Sequence, residues 1–254
     1  MYRGFNIKGI KFDDGRSLYD LGKAQSVEHN AAIAQELNRF ILGNGKIDGT
    51  KMQSNWFPTI KADIFLSHSH KDLDLAIKLA GWLKDRFGLN TFIDSSVWGC
   101  SNDLLKKIDD KYCTRITDGL YDYEKLKASS SHVHMMLASA LTMMIDKAEC
   151  LFFLNTPSSL SVDNIKQKTM SPWIYYELMT CKYIRKPIPT RLIPKELLDE
   201  QVIAKSASIP LEYTVDFTDF VDLCGKDLNS WAKYSNNEGI SSLDKLYSLF
   251  PLEN

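Results

Sequence analysis

Residues 62–94 have the sequence ADIFLSHSHKDLDLAIKLAGWLKDRFGLNTFID, which predicts a strand, a helix and a second strand. ADIFLS is a short apolar run of the kind found in buried parallel strands. Apolar residues at positions 73, 76, 77, 80, 83 and 87 recur with helical spacing, and Gly88 is suited to end that helix. NTFID, residues 90–94, follows as the second strand. The segment therefore predicts a β-α-β unit.

The alternation of strands and helices continues beyond this unit. Residues 132–148 predict a helix, CLFFL at 150–154 a third buried strand, and residues 173–185 a further helix. Such alternation predicts an α/β fold with a central parallel sheet and helices on both faces. Ligands of these sheets bind at the carboxyl ends of the strands, where residues 67–70, 95–99 and 155–159 fall.

Composition and charge exclude several classes of function. The 254 residues contain 31 basic and 32 acidic side chains, for a net charge of −1, so neither nucleic acid nor an anionic membrane surface is an expected ligand. The five cysteines are irregularly spaced, with no C-x-x-C pair, which is typical of a reducing compartment. With no signal-like or membrane-spanning apolar segment, the sequence predicts a cytoplasmic protein.

SPWIYYEL, residues 171–178, has the features of a helix start next to a functional acid. Ser171 is a candidate N-cap and Pro172 the first helical residue. Trp173 and Glu177 are four residues apart, so they share one helical face. A flat aromatic ring beside one carboxylate suits a flat, cationic substrate.

Four segments together resemble a Toll/interleukin-1 receptor (TIR) domain of the bacterial kind associated with NAD cleavage and antiphage defence. They are ADIFLSHSHKD, FID followed by a loop containing VWG, CLFFLNT, and SPWIYYEL. The resemblance covers about residues 62–187 and implies a flavodoxin-like TIR domain at 61–190, with an insertion at about 111–131. Residues 1–60, with a helix expected at 26–42, and residues 191–254, with a closing helix expected at about 242–250, become N- and C-terminal extensions.

The resemblance also implies a reaction and a set of site residues. Glu177 matches the catalytic glutamate of NAD-cleaving TIR domains, and Trp173 the tryptophan one turn before it. NAD is the implied substrate, with no cofactor and no metal. Implied partners are other copies of the TIR domain and a separate effector that responds to the nucleotide product. The remaining substrate-binding positions are Ser67, His68, Ser69 and His70 after the first strand, and Trp98 in the loop 95–102, which closes the site.

One carboxylate is sufficient for this chemistry, because nicotinamide leaves as a neutral group and only the oxocarbenium-like ribose has to be stabilised. Water as acceptor gives ADP-ribose, and an adenine nitrogen gives a cyclic isomer. Structural alternatives stay open: Glu177 as a solvated acid paired with Lys182, and Ser69 with Asp72 as a capping box. A non-enzymatic TIR scaffold and a nucleoside or deoxyribosyl transferase are the alternative functions.

Overall fold

A five-stranded parallel sheet forms the centre of the protein. The computed structural model describes residues 1–12, 16–30, 37–42, 46–115, 119–163, 166–192, 213–214, 217, 219–235 and 238–251. Its strands are β1 (Arg3–Lys8), β2 (Ile64–Ser67), β3 (Thr91–Ile93), β4 (Cys150–Asn155), β5 (Ser161–Asp163), β6 (Lys166–Thr169), β7 (Tyr213–Thr214) and β8 (Phe220–Cys224). The central sheet has the order β3-β2-β4-β1-β8, and β5-β6-β7 form a small antiparallel sheet. The predicted α/β fold is confirmed.

Helices cover both faces of the central sheet. They are α1 (Arg16–Asn30), α2 (Gly49–Trp56), α3 (Leu73–Phe87), α4 (Ser95–Ile108), α5 (Tyr123–Lys147), α6 (Pro172–Tyr183), α7 (Gly225–Tyr234) and α8 (Ser242–Leu249). Helices α2, α4, α5 and α6 pack against Phe65 and Phe153 on one face. Helices α3, α7 and α8 pack against Phe5 and Phe152 on the other. Each of these buried phenylalanines contributes roughly 1.5–3 kcal/mol to stability.

The two terminal segments contribute strands to the central sheet instead of packing outside it. β1 lies between β4 and β8, with Phe5 opposite Phe152 and Val221. The order matches the flavodoxin-like arrangement 2-1-3-4-5 if β2, β3 and β4 are its first three strands and β1 takes the fourth place. The division into a domain at 61–190 with two extensions therefore does not follow the sheet.

Helix α1 is held against α3 at backbone contact distance. A Cβ atom built on Gly81 would lie 1.8 Å from the carbonyl oxygen of Leu18, and one on Gly22 would lie 1.9 Å from that of Ile77. This helix occupies residues 16–30, so the helix expected at 26–42 was wrong in its bounds; residues 31–36 lie outside the described part. Its contact with α3 depends on glycine, which a hydrophobic pattern does not register.

Local sequence signals explain the other element boundaries. α3 ends at Gly88 in the left-handed conformation, with φ 67°, as predicted. The segment 95–102, expected as a loop, is instead the start of α4, because the Asp94 side chain accepts a hydrogen bond from the Ser95 backbone N–H at 2.8 Å and starts the helix there. The expected insertion at 111–131 is partly helical as well, since α5 begins at Tyr123.

Arg191, which follows α6, links the amino end of β4 to α8. The Arg191 guanidinium binds Glu149 through Nη1 at 2.8 Å and Asp244 of α8 through Nε at 2.7 Å. Glu149 also accepts a hydrogen bond from Tyr247 at 2.7 Å. The closing helix expected near the end of the chain is confirmed as α8. Among the described residues, no helix has the length and apolar character needed to cross a membrane.

Candidate active site

Glu177 is fully buried at the carboxyl end of β2. The helix that carries it starts as predicted: Pro172 is its first residue and the Ser171 side chain accepts from the Ile174 N–H at 3.3 Å. In its second turn, Glu177 Oε2 accepts a hydrogen bond of 2.6 Å from the hydroxyl of Ser67, the last residue of β2. Both side chains are 0% exposed. Glu177 is therefore not the solvated surface acid of the structural alternative.

A second carboxyl group, Asp94, lies next to Glu177. It follows β3, is 3% exposed, and forms an ion pair of 2.5 Å with Nδ1 of His68. Burial and then the negative charge of Asp94 raise the pKa of Glu177 well above its usual range, against the Ser67 hydrogen bond, which lowers it. Burial lowers the pKa of His68, but the charge and hydrogen bond of Asp94 outweigh it, so that the pKa lies above its usual value.

A cavity of about 510 Å³ opens beside this cluster. It is lined by residues 68–70 after β2, 94, 95 and 102 around the start of α4, 157–160 after β4, and 169–171, 173 and 174 around the start of α6. After β2 the chain leads to β3 on one side of the sheet, whereas after β4 it leads towards β8 on the other. The cavity thus occupies the topological switch point, where α/β sheets bind ligands.

The structure brings most of the predicted site residues to this cavity, but not all of them. Trp173 lines it, and so do His68, Ser69 and His70. Glu177 and Ser67 do not line it; both are fully buried, Ser67 directly precedes the lining residue His68, and the lining residue Asp94 acts on Glu177. Trp98 belongs to α4 rather than to a loop, and its side chain lies outside the described part of the structure.

Asp94 is a residue of the candidate site that the sequence analysis did not include. It directly follows the buried strand TFI, so it belongs to the same sheet edge that drew attention to residues 67–70. An acid immediately after a buried parallel strand was a usable signal. It was passed over because residues 95–102 were expected to form the loop that closes the site.

The expected capping box of Ser69 and Asp72 is wrong. Ser69 makes no side-chain cap, and Asp72 instead accepts a hydrogen bond of 2.5 Å from the Thr156 hydroxyl. Thr156 follows β4, so this bond joins the two loops that flank the switch point. It therefore links two loops whose neighbouring residues, 68–70 and 157–160, line the cavity.

No protein-family model matches the chain, and no curated protein or solved structure matches it either. The site therefore has to be interpreted from its own residues. Across the described ranges, no three His, Cys, Asp or Glu side chains are grouped to hold a metal ion. All five cysteines are free thiols, and Cys113, Cys150 and Cys181 are buried.

Proposed function

We propose that this protein is a TIR-type enzyme that cleaves the bond between nicotinamide and ribose in NAD. The observation that carries the proposal is the position of Glu177: a buried acid directly behind a ligand-sized cavity at the switch point of a parallel sheet. Volumes of about 300–1,000 Å³ are usual for small-molecule sites. Acids with strongly perturbed pKa values in such places are frequent in catalysis.

The chemistry follows from the groups around the cavity. The bond from the ribose C1′ to the nicotinamide nitrogen breaks, and its electron pair neutralises the pyridinium ring. Glu177, once ionised, stabilises the positive charge left on the ribose. Trp173, which is half-buried and lines the cavity, offers a flat surface for a ring of the substrate.

The nucleophile that completes the reaction sets the product. Water gives ADP-ribose and a nitrogen of the adenine gives a cyclic isomer, which in antiphage defence would act as a signal for a separate effector. In TIR enzymes the site is completed by a neighbouring copy, so we expect activity to rise steeply with protein concentration.

The test is mass spectrometry of the nucleotides formed when concentrated protein is incubated with NAD. We expect nicotinamide release by the parent, its loss in Glu177→Gln, and its retention in Glu124→Gln, which changes an acid with a 79% exposed side chain at the start of α5. The mass of the co-product separates hydrolysis from cyclisation. Cleavage of free nucleosides but not of NAD would indicate the nucleoside or deoxyribosyl transferase instead. No cleavage of either would favour the scaffold.

A further inference from the structure

Glu177 has one carboxyl oxygen satisfied and one that needs a proton. Oε2 accepts from Ser67. Oε1 is buried and meets no N–H or O–H donor among the described residues. The titratable group that acts on this carboxyl is Asp94, itself an acid at the end of β3. An unsatisfied buried acceptor facing a second carboxylate is costly, and a proton between the two acids removes the cost.

Asp94 is held by one hydrogen-bond donor and one ion-pair partner. The Ser95 backbone N–H binds its Oδ1 at 2.8 Å, and Nδ1 of His68 lies 2.5 Å from the same atom. Asp94 and His68 both line the cavity, whereas Glu177 does not. A proton that leaves Glu177 therefore has a route through Asp94 to the cavity.

We propose that Asp94, held by His68, is a positioning residue that shares one proton with Glu177, and that this proton leaves through Asp94 before Glu177 acts as a carboxylate. This inference deepens the proposed function and rests on it. The step is balanced: the proton passes from Glu177 to the Asp94 carboxylate and on to water in the cavity. Nothing is oxidised or reduced. The burial and neighbouring charge that raise the pKa of Glu177 support the same assignment.

The charged and titratable groups around Glu177 and Asp94 determine whether a substitution raises or lowers the pKa of Glu177. Asp94 acts on Glu177 from the end of β3. His68 and Asp72 follow β2; a protonated His68 offsets the negative charge of Asp94, and the negative charge of Asp72 acts on His68. His134 of α5 contacts Trp173 on the cavity side of α6. Without the negative charge of Asp94 the pKa of Glu177 should fall, so that the shared proton leaves more readily. Without the positive charge of a protonated His68 that pKa should rise.

Infrared spectroscopy of the full chain tests the shared proton without any substrate. We expect the C=O stretch of a protonated carboxylic acid in the parent at neutral pH and its absence in Glu177→Gln. In Asp94→Asn the band should titrate away at a pH lower by about one unit or more, and in His68→Gln at a higher pH. Asp85→Asn, which changes an exposed acid of α3, should leave the titration unchanged.

Two spectroscopic results would overturn the inference: no protonated acid in the parent at neutral pH, or the same titration midpoint in Asp94→Asn, His68→Gln and the parent. The two substitutions act in opposite directions, so a failure of one variant to fold still leaves the other as a test. A band that is lost equally in Asp85→Asn would also contradict the assignment to Glu177.

The pH dependence of NAD cleavage tests the role in catalysis. On the acid side of the profile, kcat/KM of Asp94→Asn, relative to its own maximum, should rise about tenfold for each unit by which the infrared midpoint falls. A profile that does not follow the infrared shift would refute the positioning role. If the parent cleaves no NAD at all, the proposed function fails, while the infrared result still decides whether the proton is shared.

Discussion

Replacing Glu177 by glutamine should make the folded protein more stable at neutral pH although it removes the proposed catalytic group. Glutamine has the shape of a protonated glutamate. Its carbonyl can accept from Ser67 at the position of Oε2, and its N–H can donate to Asp94. The variant thus keeps the hydrogen bond from Ser67 and places a donor where Oε1 has no partner within the described part of the chain, and it has no proton to lose.

The size of the gain follows from proton linkage. Because the pKa of Glu177 is raised in the folded state by burial and by Asp94, the folded protein binds more protons than the unfolded chain above the ordinary glutamate pKa of about 4.3. The contribution of Glu177 to the stability of the parent is therefore full below that pH, and it falls by up to about 1.4 kcal/mol per pH unit until the raised pKa is passed. At neutral pH we expect the free energy of unfolding of Glu177→Gln to exceed that of the parent by about 3 kcal/mol, because the loss accumulates between about pH 4.3 and neutral pH.

Urea unfolding of both proteins at several pH values measures the effect. The difference in free energy of unfolding should be near zero at about pH 4 and should grow towards neutral pH. Glu124→Gln, at an exposed site, is the matched control and should show no growing gain. The proposal that Glu177 is buried in its protonated form would be refuted by a Glu177→Gln variant that is less stable than the parent at neutral pH. A stability difference between the two proteins that does not depend on pH would also refute it.

Three further substitutions test the packing around the site and the sheet. Gly81→Ala should lower the free energy of unfolding by more than about 2 kcal/mol, because the new Cβ would collide with the Leu18 carbonyl of α1. The control Gly49→Ala, whose Cβ would have its nearest contact at 3.5 Å, should be tolerated. Thermal melting of the two variants measures the difference. Arg191→Ala should increase hydrogen exchange in α8 with a loss of about 1 kcal/mol, and unchanged exchange there would contradict the role of this arginine. Thr156→Val should weaken NAD binding measured by calorimetry, because Asp72 loses its donor and the loops after β2 and β4 separate. Equal affinity would show that other contacts hold these two loops together.

The central β-α-β unit could be predicted because its signals are local. Apolar runs mark β2 and β3, helical periodicity marks α3, and a glycine marks where α3 ends. The start of α6 was equally accessible, since Ser171 and Pro172 are neighbours with well-understood preferences. From such elements the sheet edge that holds the candidate site also follows.

The central position of β1 was not predictable from pattern. RGFNIK is a six-residue segment, and its partners Phe152 and Val221 are far away in the sequence. Nothing in six residues specifies which sheet they join. For the same reason the sequence could indicate Glu177 as an acid of interest but not that Asp94 shares its environment, because the contact between α6 and the end of β3 exists only after folding.

The arrangement of β1 also constrains the order in which the sheet can assemble during synthesis. β1 is synthesised before the other strands of the central sheet, yet both of its neighbours, β4 and β8, are made more than 140 residues later. Until then its buried side chains lack their final partners, so the nascent chain has to keep this strand from pairing elsewhere. The edge formed by β2 and β3, which borders the candidate site, can begin to form during translation, whereas completion of the sheet waits for β8.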